Sequence, residues 1–529
     1  MRPKVVVAEP IAPAGIEALE AHCEVVSGVG LDQDELGDLL IDAQALIVRS
    51  ATQVDADLIE GAPLLKVIGR AGIGVDNIDV GAATAAGIVV VNAPQANVIS
   101  AAEHTMALLL SQARHIARAD AVLRSGVWDR KSYQGVELHG RTLGVIGLGR
   151  IGSLVAKRAQ AFGMQVIAHD PYVGAERARQ LQVELVNSLS ELYTRADFVT
   201  IHLPLTEETT RMINSESLAG MRPGIRIVNT SRGGIIDEEA LAEAIRSGQV
   251  AGAALDVFAG EPITASPLFE LPQVVVTPHL GASTREAQDK AGIDVAEAVA
   301  GALRGELVLS AVNVDIGSEV SDEVRRFLPL AEHLGRVFVG VARGLPDRLA
   351  VRIEGRLAEQ PVRPLGLAAL KGALSAVSSV TVSYVNARAL AERHGVAVTE
   401  ESSSESTEYV SVVRLSGTVG GREISLAGTI GRRAPMLVEM FGYELDLPLS
   451  QYMLIVRNAD VPGLIGRVGT FLGTLDVNIA NMVVGRSSVT GAAAMMGIDI
   501  DLPLSPEMVD GVRDLEGVEE AQFIQLPLV

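Results

Sequence analysis

The sequence has a single cysteine, Cys23, so it carries no disulfide framework and no cysteine-based metal site. It is short of cations: 44 Lys and Arg stand against 65 Asp and Glu, a formal net charge of −21 at pH 7. A polyanion would be repelled over most of such a surface, which excludes nucleic acid and an anionic membrane as main partners. A small anionic metabolite remains possible where arginines gather locally. Long apolar runs are missing too. The most apolar windows, such as 80–91, are broken by Gly and Thr and are too short to cross a bilayer. The N-terminus does not resemble a signal peptide, because Lys4 to Ala8 is a short strand pattern closed at once by Glu9-Pro10. The expected location is cytoplasmic. What is present is core-forming material: 48% of 529 residues are hydrophobic, which rules out general disorder, and the length asks for three or four domains.

The most informative stretch is Arg141 to Gly152. An apolar run, Leu143 to Ile146, meets Gly147-x-Gly149-x-x-Gly152 and passes into a helical pattern from Ile151 to Phe162. The first glycine turns sharply, the second admits a pyrophosphate to the backbone, and the third lets helix and sheet lie close. Unpaired N–H groups at the helix start then receive the phosphates. A second apolar run, Met164 to Ala168, leads to Asp170, about 20 positions after Gly149, where a carboxylate accepts ribose hydroxyls and repels a 2′-phosphate. The context predicts a dinucleotide site, NAD rather than NADP.

Around this stretch, short β-rich runs alternate with helical patterns. Strands are expected at 5–8, 23–26, 45–48, 66–69 and 88–91, and again at 198–201, 225–229, 252–255 and 274–277. That alternation means two parallel sheets covered by helices, α/β in class. Ser100 to Glu103 reads as a capping box opening one helix to about Leu123, which crosses from the first domain to the second. A helical run from Thr284 to Leu303 carries the chain back, so the first domain is discontinuous. The expected division is 1–97 and 283–305 for a substrate domain, 98–282 for a nucleotide domain, 306–451 for an α+β intervening domain, and 452–529 for a tail.

In the intervening region, strand patterns at 349–353 and 409–415 are joined by a hairpin signal at Gly420-Gly421. Ser402 to Glu405 reads as a solvated loop, and Arg432-Arg433 as either an anion site or an exposed pair. The tail from Tyr452 has the βαββαβ order of a ferredoxin-like unit, with strands at 452–456, 478–484, 492–500 and 518–524. Asp460 to Gly463 is expected to cap its first helix, and Asn478 to open its second strand.

Ligands of open α/β sheets bind beyond the carboxyl ends of strands. Four nucleotide-domain strands run there into polar loops, beginning at His202, Thr230, Asp256 and Pro278. Arg232 presents a planar fork for a carboxylate, His279 titrates near neutrality, and Glu261 can fix its tautomer. Singly, Arg232 reads equally as a cofactor-phosphate ligand, Glu261 as a turn cap and His279 as a satisfied strand-end residue. Together, behind a dinucleotide fingerprint, they point to hydroxy-acid oxidation. Asp256 either meets the nicotinamide amide or caps a turn. Arg49 and Arg70, at two first-domain strand ends, are either anion ligands or solvated loop charges. Trp128, the only tryptophan, is either core or the anchor of a subunit contact.

These loops, in the forms GLGRIG, HLPLT, NTSRGGIIDEEAL, ALDVFAGEP and TPHLGAST, resemble the signatures of D-isomer-specific 2-hydroxyacid dehydrogenases. The whole chain, with its intervening region and a tail that looks like an ACT domain, resembles the long-form phosphoglycerate dehydrogenases among them. The resemblance implies two Rossmann-like domains followed by an α+β domain and an ACT domain, and NAD-dependent oxidation of 3-phosphoglycerate to 3-phosphohydroxypyruvate, the entry to serine synthesis. It implies Arg232, Glu261 and His279 as catalytic residues. For the cofactor it implies Gly147, Gly149, Arg150, Ile151, Gly152, Asp170, Thr230, Ser231, Asp256 and Gly281, and for the substrate Arg49, Ser50, Arg70, Gly72 and Asn97. It further implies a homotetramer with contacts through the nucleotide domains, where Trp128 and Arg130 match an arm reaching the neighbour, and through the ACT domains. L-serine would be the feedback effector, held by Asp460 and Asn478 between paired tails, although Asn458 and Asp460 stand where some relatives have His and Asn. Glyoxylate or hydroxypyruvate reduction and a non-catalytic NAD-sensing corepressor are the alternatives.

Overall fold

A computed structural model describes residues 2–314, 320–406, 408–432, 434–486 and 493–527. Arg433 and Ala492, named in the sequence reading, lie outside them. The first sheet contains β1 (Lys4–Val7), β2 (Glu24–Ser27), β3 (Ala45–Val48), β4 (Val67–Arg70) and β5 (Val89–Asn92), all parallel, in the order β2-β1-β3-β4-β5. Its centre is apolar on both faces, with β3 wholly buried, as helices on both sides of a parallel sheet require. The order reverses between β1 and β3, which opens a crevice beyond their carboxyl ends.

The second sheet contains β6 (Thr142–Ile146), β7 (Gln165–His169), β8 (Glu184–Leu185), β9 (Phe198–Ile201), β10 (Ile225–Asn229), β11 (Val250–Leu255) and β12 (Val274–Val276), again all parallel. Its order is β12-β11-β10-β9-β6-β7-β8, so the reversal falls between β6 and β9. This is the doubly wound dinucleotide-binding arrangement.

Two helices cross between these domains. The outgoing one, Val98–Ala113, begins earlier than the capping-box reading places it, and Asn97 at its N-cap makes no side-chain cap bond. Ser100 is instead inside the helix, where its Oγ bonds Thr284 Oγ1 at 2.8 Å and ties the outgoing crossing to the returning one. A tertiary partner has outcompeted the local cap. Nor does one helix run to Leu123: His115, at φ 54°, separates it from a second helix, Ile116–Arg124. The returning helix, Arg285–Leu303, is capped by the Thr284 side chain and packs on Pro13–Glu20 of the first domain. Here Gly15 faces Gly292, and a Cβ on Gly15 would lie 2.7 Å from the Gly292 carbonyl.

Beyond Leu303 the chain does not leave the first domain at once. Residues 310–313 lie along β5, with Asn92 N donating to Ser310 O (3.2 Å), Val312 N to Val90 O (2.7 Å) and Val90 N to Asn313 Oδ1 (2.9 Å). The segment covers an edge strand that would otherwise present unpaired backbone groups.

A third sheet follows, with β13 (Arg348–Gly355), β14 (Ala397–Ser403), β15 (Ser411–Val419), β16 (Arg422–Ile430), β17 (Pro435–Met440) and β18 (Tyr443–Pro448), in the order β14-β13-β15-β16-β17-β18. Gly420 and Gly421 form the expected two-residue hairpin at φ 57° and 79°. The tract at Ser402 is not wholly a loop, since Ser402 and Ser403 pair with Ile353 and Glu354 in β14 and β13. Polar composition misled there because β14 is an edge strand with one wet side.

The tail folds as β19 (Tyr452–Ala459), helix Leu464–Thr474, β20 (Ile479–Arg486), β21 (Ala493–Ile500), helix Pro506–Arg513 and β22 (Val518–Gln525), in sheet order β20-β21-β19-β22. This is the ferredoxin-like unit. The first helix is capped by Gly463 at φ 88°, with no side-chain cap from Asp460. Leu454 and Val456 face the two helices, whereas Met453 and Ile455 share a core with Phe338, Leu415, Leu445 and Leu447 of the third unit. The tail sheet is therefore buried on both faces.

Gly15→Ala tests the helix crossing. Propensity alone would favour alanine by about 0.8–1 kcal/mol, but overpacking against backbone costs about 1–3 kcal/mol. The expected result is faster hydrogen exchange at the buried amides of β3, and unchanged protection would mean that the helices separate freely.

Candidate active site

The second sheet turns at Gly147, φ 89°, where a Cβ would meet His202 O at 2.5 Å, the carbonyl that follows β9. Gly152 lies so close to the Gly147 carbonyl that no side chain fits. Gly149 differs, because its missing Cβ points into open space. Helix Arg150–Ala161 starts immediately after it with no side-chain cap. Open space over uncapped N–H groups suits a pyrophosphate. Asp170 sits at the end of β7 and accepts from Leu148 N (2.8 Å) and Tyr172 N (2.9 Å), which fixes its carboxylate beside the glycine turn. Arg150 reaches across to Pro94 O at 3.1 Å, and Ile151 packs into the domain core. The residues present thus fit a dinucleotide.

The loop after β10 is shaped by a buried amide. Asn229 Oδ1 accepts from Ser231 N (3.0 Å) and Ser231 Oγ (2.8 Å), while its Nδ2 donates to Arg232 O (2.9 Å). Gly233 has no room for a Cβ against the Phe258 carbonyl. Thr230 bonds Thr105 of the outgoing helix at 2.7 Å. These contacts aim the Arg232 side chain at the first domain, where its Nε lies 3.3 Å from Asp76 Oδ2. Arg70 stands near, its pKa lowered by burial and then by the charge of Arg232. Arg70 Nε donates to Arg49 O at 3.3 Å. Three arginines, Arg49, Arg70 and Arg232, so converge on one cleft from two domains.

The loop after β12 carries His279, and a carboxylate holds it from below. Asp256 has no solvent exposure. Its Oδ1 accepts from Thr277 Oγ1 (2.6 Å) and Leu280 N (2.7 Å), its Oδ2 from Gly281 N (2.8 Å), and its carbonyl from His279 N (2.8 Å). His104 Nε2 approaches Oδ1 at 3.2 Å. Burial raises the Asp256 pKa, but the bonds from His104, Thr277 and Leu280 outweigh it and the net direction is down. His279 itself is half-exposed at φ 54°. Its Nδ1 lies 2.6 Å from Glu261 Oε2, while Glu261 Oε1 accepts from Phe258 N at 2.9 Å. Burial raises the Glu261 pKa too, yet the His279 and Phe258 bonds leave it lowered. A charged carboxylate only accepts, so Nδ1 carries a proton, and in the neutral ring the lone pair is on Nε2. That arrangement can take up and return a proton.

A cavity of about 590 Å³ opens on the first domain's side of the cleft, lined by Arg49, Gly72 and Asn97 and, from the returning segment of the same domain, Ser283 and Thr284. Arg232 and His279 are not among its walls, so it adjoins the reacting groups rather than enclosing them. Asn97 Oδ1 is buried without a hydrogen-bond partner among the described residues. Ser50 is exposed in the loop after β3. Sequence reasoning missed Glu9, Asp76, Asn77 and His104. The available signals were a glutamate directly after β1 and an Asp-Asn pair two residues beyond Gly74.

Within one chain the tail residues Asp460 and Asn478 stand at opposite ends of the sheet. Asp460 follows β19 and lies 3.5 Å from Arg486, the last residue of β20, whereas Asn478 precedes β20 and donates to Asp501 at 2.8 Å. Strand register agrees, since Arg486 and Asn458 both pair with Ala494 but Ile479 pairs with Ile500. Trp128 is 83% exposed.

Comparison with known proteins decides the family. Residues 106–281 match the family described as D-isomer specific 2-hydroxyacid dehydrogenase, NAD binding domain, and residues 323–441 match the D-3-phosphoglycerate dehydrogenase intervening domain. A D-3-phosphoglycerate dehydrogenase of Mycobacterium leprae is 48% identical over 505 residues, 95% of each chain. The chain belongs to the D-3-phosphoglycerate dehydrogenase family. Another relative of that name, from Methanocaldococcus jannaschii, is 43% identical over 99% of this chain and 100% of its own. Among solved structures, a glyoxylate reductase from Paecilomyes thermophila superposes with a TM-score of 0.55, at 31% identity over 59% of this chain and 98% of that one. The likeness to that structure covers the two-domain core. The cofactor of this family's nucleotide domain is NAD, as the fingerprint and Asp170 lead one to expect.

The His279–Glu261 pair yields a prediction. His279→Ala should lower kcat by about a hundredfold or more while NADH still binds, because positioned proton transfer contributes at that scale. Glu261→Gln keeps the shape but removes the charge that stabilises the imidazolium formed when His279 takes up a proton, so kcat should fall about tenfold with NADH binding unchanged, and an unchanged kcat would make Glu261 structural.

Proposed function

We propose that this enzyme oxidises 3-phosphoglycerate to 3-phosphohydroxypyruvate, with Arg232, His279 and Glu261 as its catalytic residues. The carrying observation is that Arg49 and Arg70 of the first domain stand close to Arg232 of the second, which also presents a half-exposed His279 held at Nδ1 by Glu261. A substrate with an anion at each end matches cations supplied from two sides. Bound at the helix that begins with Arg150, NAD supplies a nicotinamide ring that accepts a hydride. Arg232 holds the carboxylate next to the reacting carbon, displacing Asp76 from its guanidinium. His279 Nε2 takes the proton of the C2 hydroxyl, and Glu261 stabilises the imidazolium so formed. Arg49 and Arg70 hold the phosphate, while Asn97, Gly72 and Ser50 border the same cleft. Thr230, Ser231 and Gly281 would hold the cofactor's nicotinamide half, Asp256 acting through the loop it fastens.

We place the domain boundaries at 97, 282, 305 and 451, with residues 310–313 remaining on the first sheet's edge. No helix among the described residues is long and apolar enough to cross a membrane. A homotetramer would use the exposed Trp128 arm with Arg130, and the outer strand β20 of the tail. Two β20 strands pairing antiparallel about a twofold would bring a second copy's Asn478 towards Arg486 and Asp460 of the first. Asn458 supports a ligand there: it is 3% exposed and its Oδ1 has no partner among the described residues, so it is an acceptor suited to an amino group. L-serine is the amino acid we assign to this site as feedback inhibitor.

A steady-state panel tests the substrate. 3-Phosphoglycerate should exceed glycerate in kcat/KM by at least about a hundredfold, because a lost pair of charge-assisted contacts costs about 3 kcal/mol. Equal ratios, or better turnover of glyoxylate or hydroxypyruvate, would assign a reductase, and no turnover of any hydroxy acid would favour an NAD-sensing role. For regulation, the full-length Asn478→Ala variant should keep turnover and lose serine inhibition. Inhibition at an unchanged serine concentration would move the effector site elsewhere.

A further inference from the structure

At the point where the first sheet reverses its strand order, between β1 and β3, stands a carboxylate. Glu9, partly buried just beyond β1, accepts from Arg49 N at 2.8 Å and Thr52 N at 2.9 Å through Oε1, and from Ala51 N at 3.2 Å through each oxygen. None of these three N–H groups has a backbone acceptor among the described residues. Buried Asn77 grips the same loop by its carbonyls, donating from Nδ2 to Arg49 O (3.0 Å) and Thr52 O (2.6 Å). The Arg49 guanidinium also donates to Pro10 O at 3.4 Å. Both peptide groups flanking Arg49 and the tip of its side chain are thus fixed by residues outside the loop.

A carboxylate beside an anion site would ordinarily repel the anion. Here its charge is spent on loop N–H groups that point at it, and those bonds outweigh burial to hold Glu9 below the usual carboxylate range. It also offsets the repulsion between Arg49 and Arg70 when no anion is present. We propose that Glu9 is a positioning residue for substrate selection: by fixing the Arg49–Thr52 loop it sets the preference for a substrate with a second anionic group, without touching that substrate. This rests on the reading of Arg49 as a ligand of the distal anion.

The test uses full-length Glu9→Gln, Glu9→Ala and, as reference, Arg49→Ala, each assayed with 3-phosphoglycerate and with glycerate. Glutamine keeps the shape but loses the charge and turns an N–H donor towards the loop. It should lower kcat/KM for the phosphorylated substrate about tenfold, the scale of a lost charge-assisted hydrogen bond. The loss should fall on KM, with kcat and the kcat/KM for glycerate changed less than about twofold, and Glu9→Ala should go further in the same direction. If Arg49→Ala removes the preference and Glu9→Gln retains it, the assignment to Glu9 is wrong. An equal loss for both substrates would make Glu9 a general scaffold residue and would overturn the proposal as well. A wild-type enzyme with no preference for the phosphate would sink the substrate reading itself, and this inference with it.

Discussion

A carboxylate with no access to solvent must find its hydrogen bonds inside the protein, since leaving it unpaired costs several kcal/mol. Asp256 meets that demand by gathering the loop after β12 around itself: Thr277, Leu280 and Gly281 all donate to its side chain and His279 to its carbonyl. The loop conformation that results places His279 at φ 54°, a region that costs a non-glycine residue about 1–3 kcal/mol. That strain is sustained because four donors would lose their acceptor if the loop relaxed. The imidazole is then presented to Glu261, and the tautomer with Nε2 free follows. One buried charge thus sets the position and backbone conformation of His279, and Glu261 sets which ring nitrogen carries the proton in its neutral form.

The two sheets repeat one solution with different contents. Each reverses its strand order once and so opens a crevice, and the crossing helices set the crevices facing each other. In the second sheet the crevice is emptied by glycines, as a bulky dinucleotide requires. In the first, Glu9 and the loop it holds set arginines along the space that remains. The whole chain is strongly anionic, so its field opposes an anionic substrate at long range. Attraction is restored only within the cleft, where Arg70 and Arg232 of the two domains are near enough for one charge to act on the other.

The strands and the fingerprint were legible because their signal is local. Ala45–Val48, Phe198–Ile201 and Ile225–Asn229 form as the runs of branched residues predict, and the Gly147 to Gly152 spacing needs no distant partner. What escaped is what depends on a partner far along the chain. Ser100 has the spacing of a cap but bonds Thr284, 184 positions away. Glu9 reads as a solvated turn residue until Arg49 to Thr52 are folded beside it, and His104 as a helix-face polar until Asp256 lies beneath it. The glycines of the fingerprint, by contrast, take the roles their spacing predicts, Gly149 opening a space and Gly152 closing a contact.

The tail shows why a fold can be recognised and its independence misjudged. Its βαββαβ order is complete, which invites treating it as a detachable module. The alternation in β19 argues otherwise, because Leu454 and Val456 serve the tail's own helices while Met453 and Ile455 complete the core of the third unit. The Arg422–Glu520 pair spans the same boundary at 3.0 Å. Removing the tail would expose Phe338, Leu445 and Leu447 to water, at about 1.5–3 kcal/mol for each large side chain. Loss of regulation in such a truncation would not be separable from loss of packing. The third unit is tied to the first in turn, through Lys371 Nζ to Gly305 O at 3.1 Å and Ser383 Oγ to Gly87 O at 2.9 Å. A ligand at the tail therefore acts on a continuously packed body, and what it must supply is a difference in affinity between two arrangements of that body.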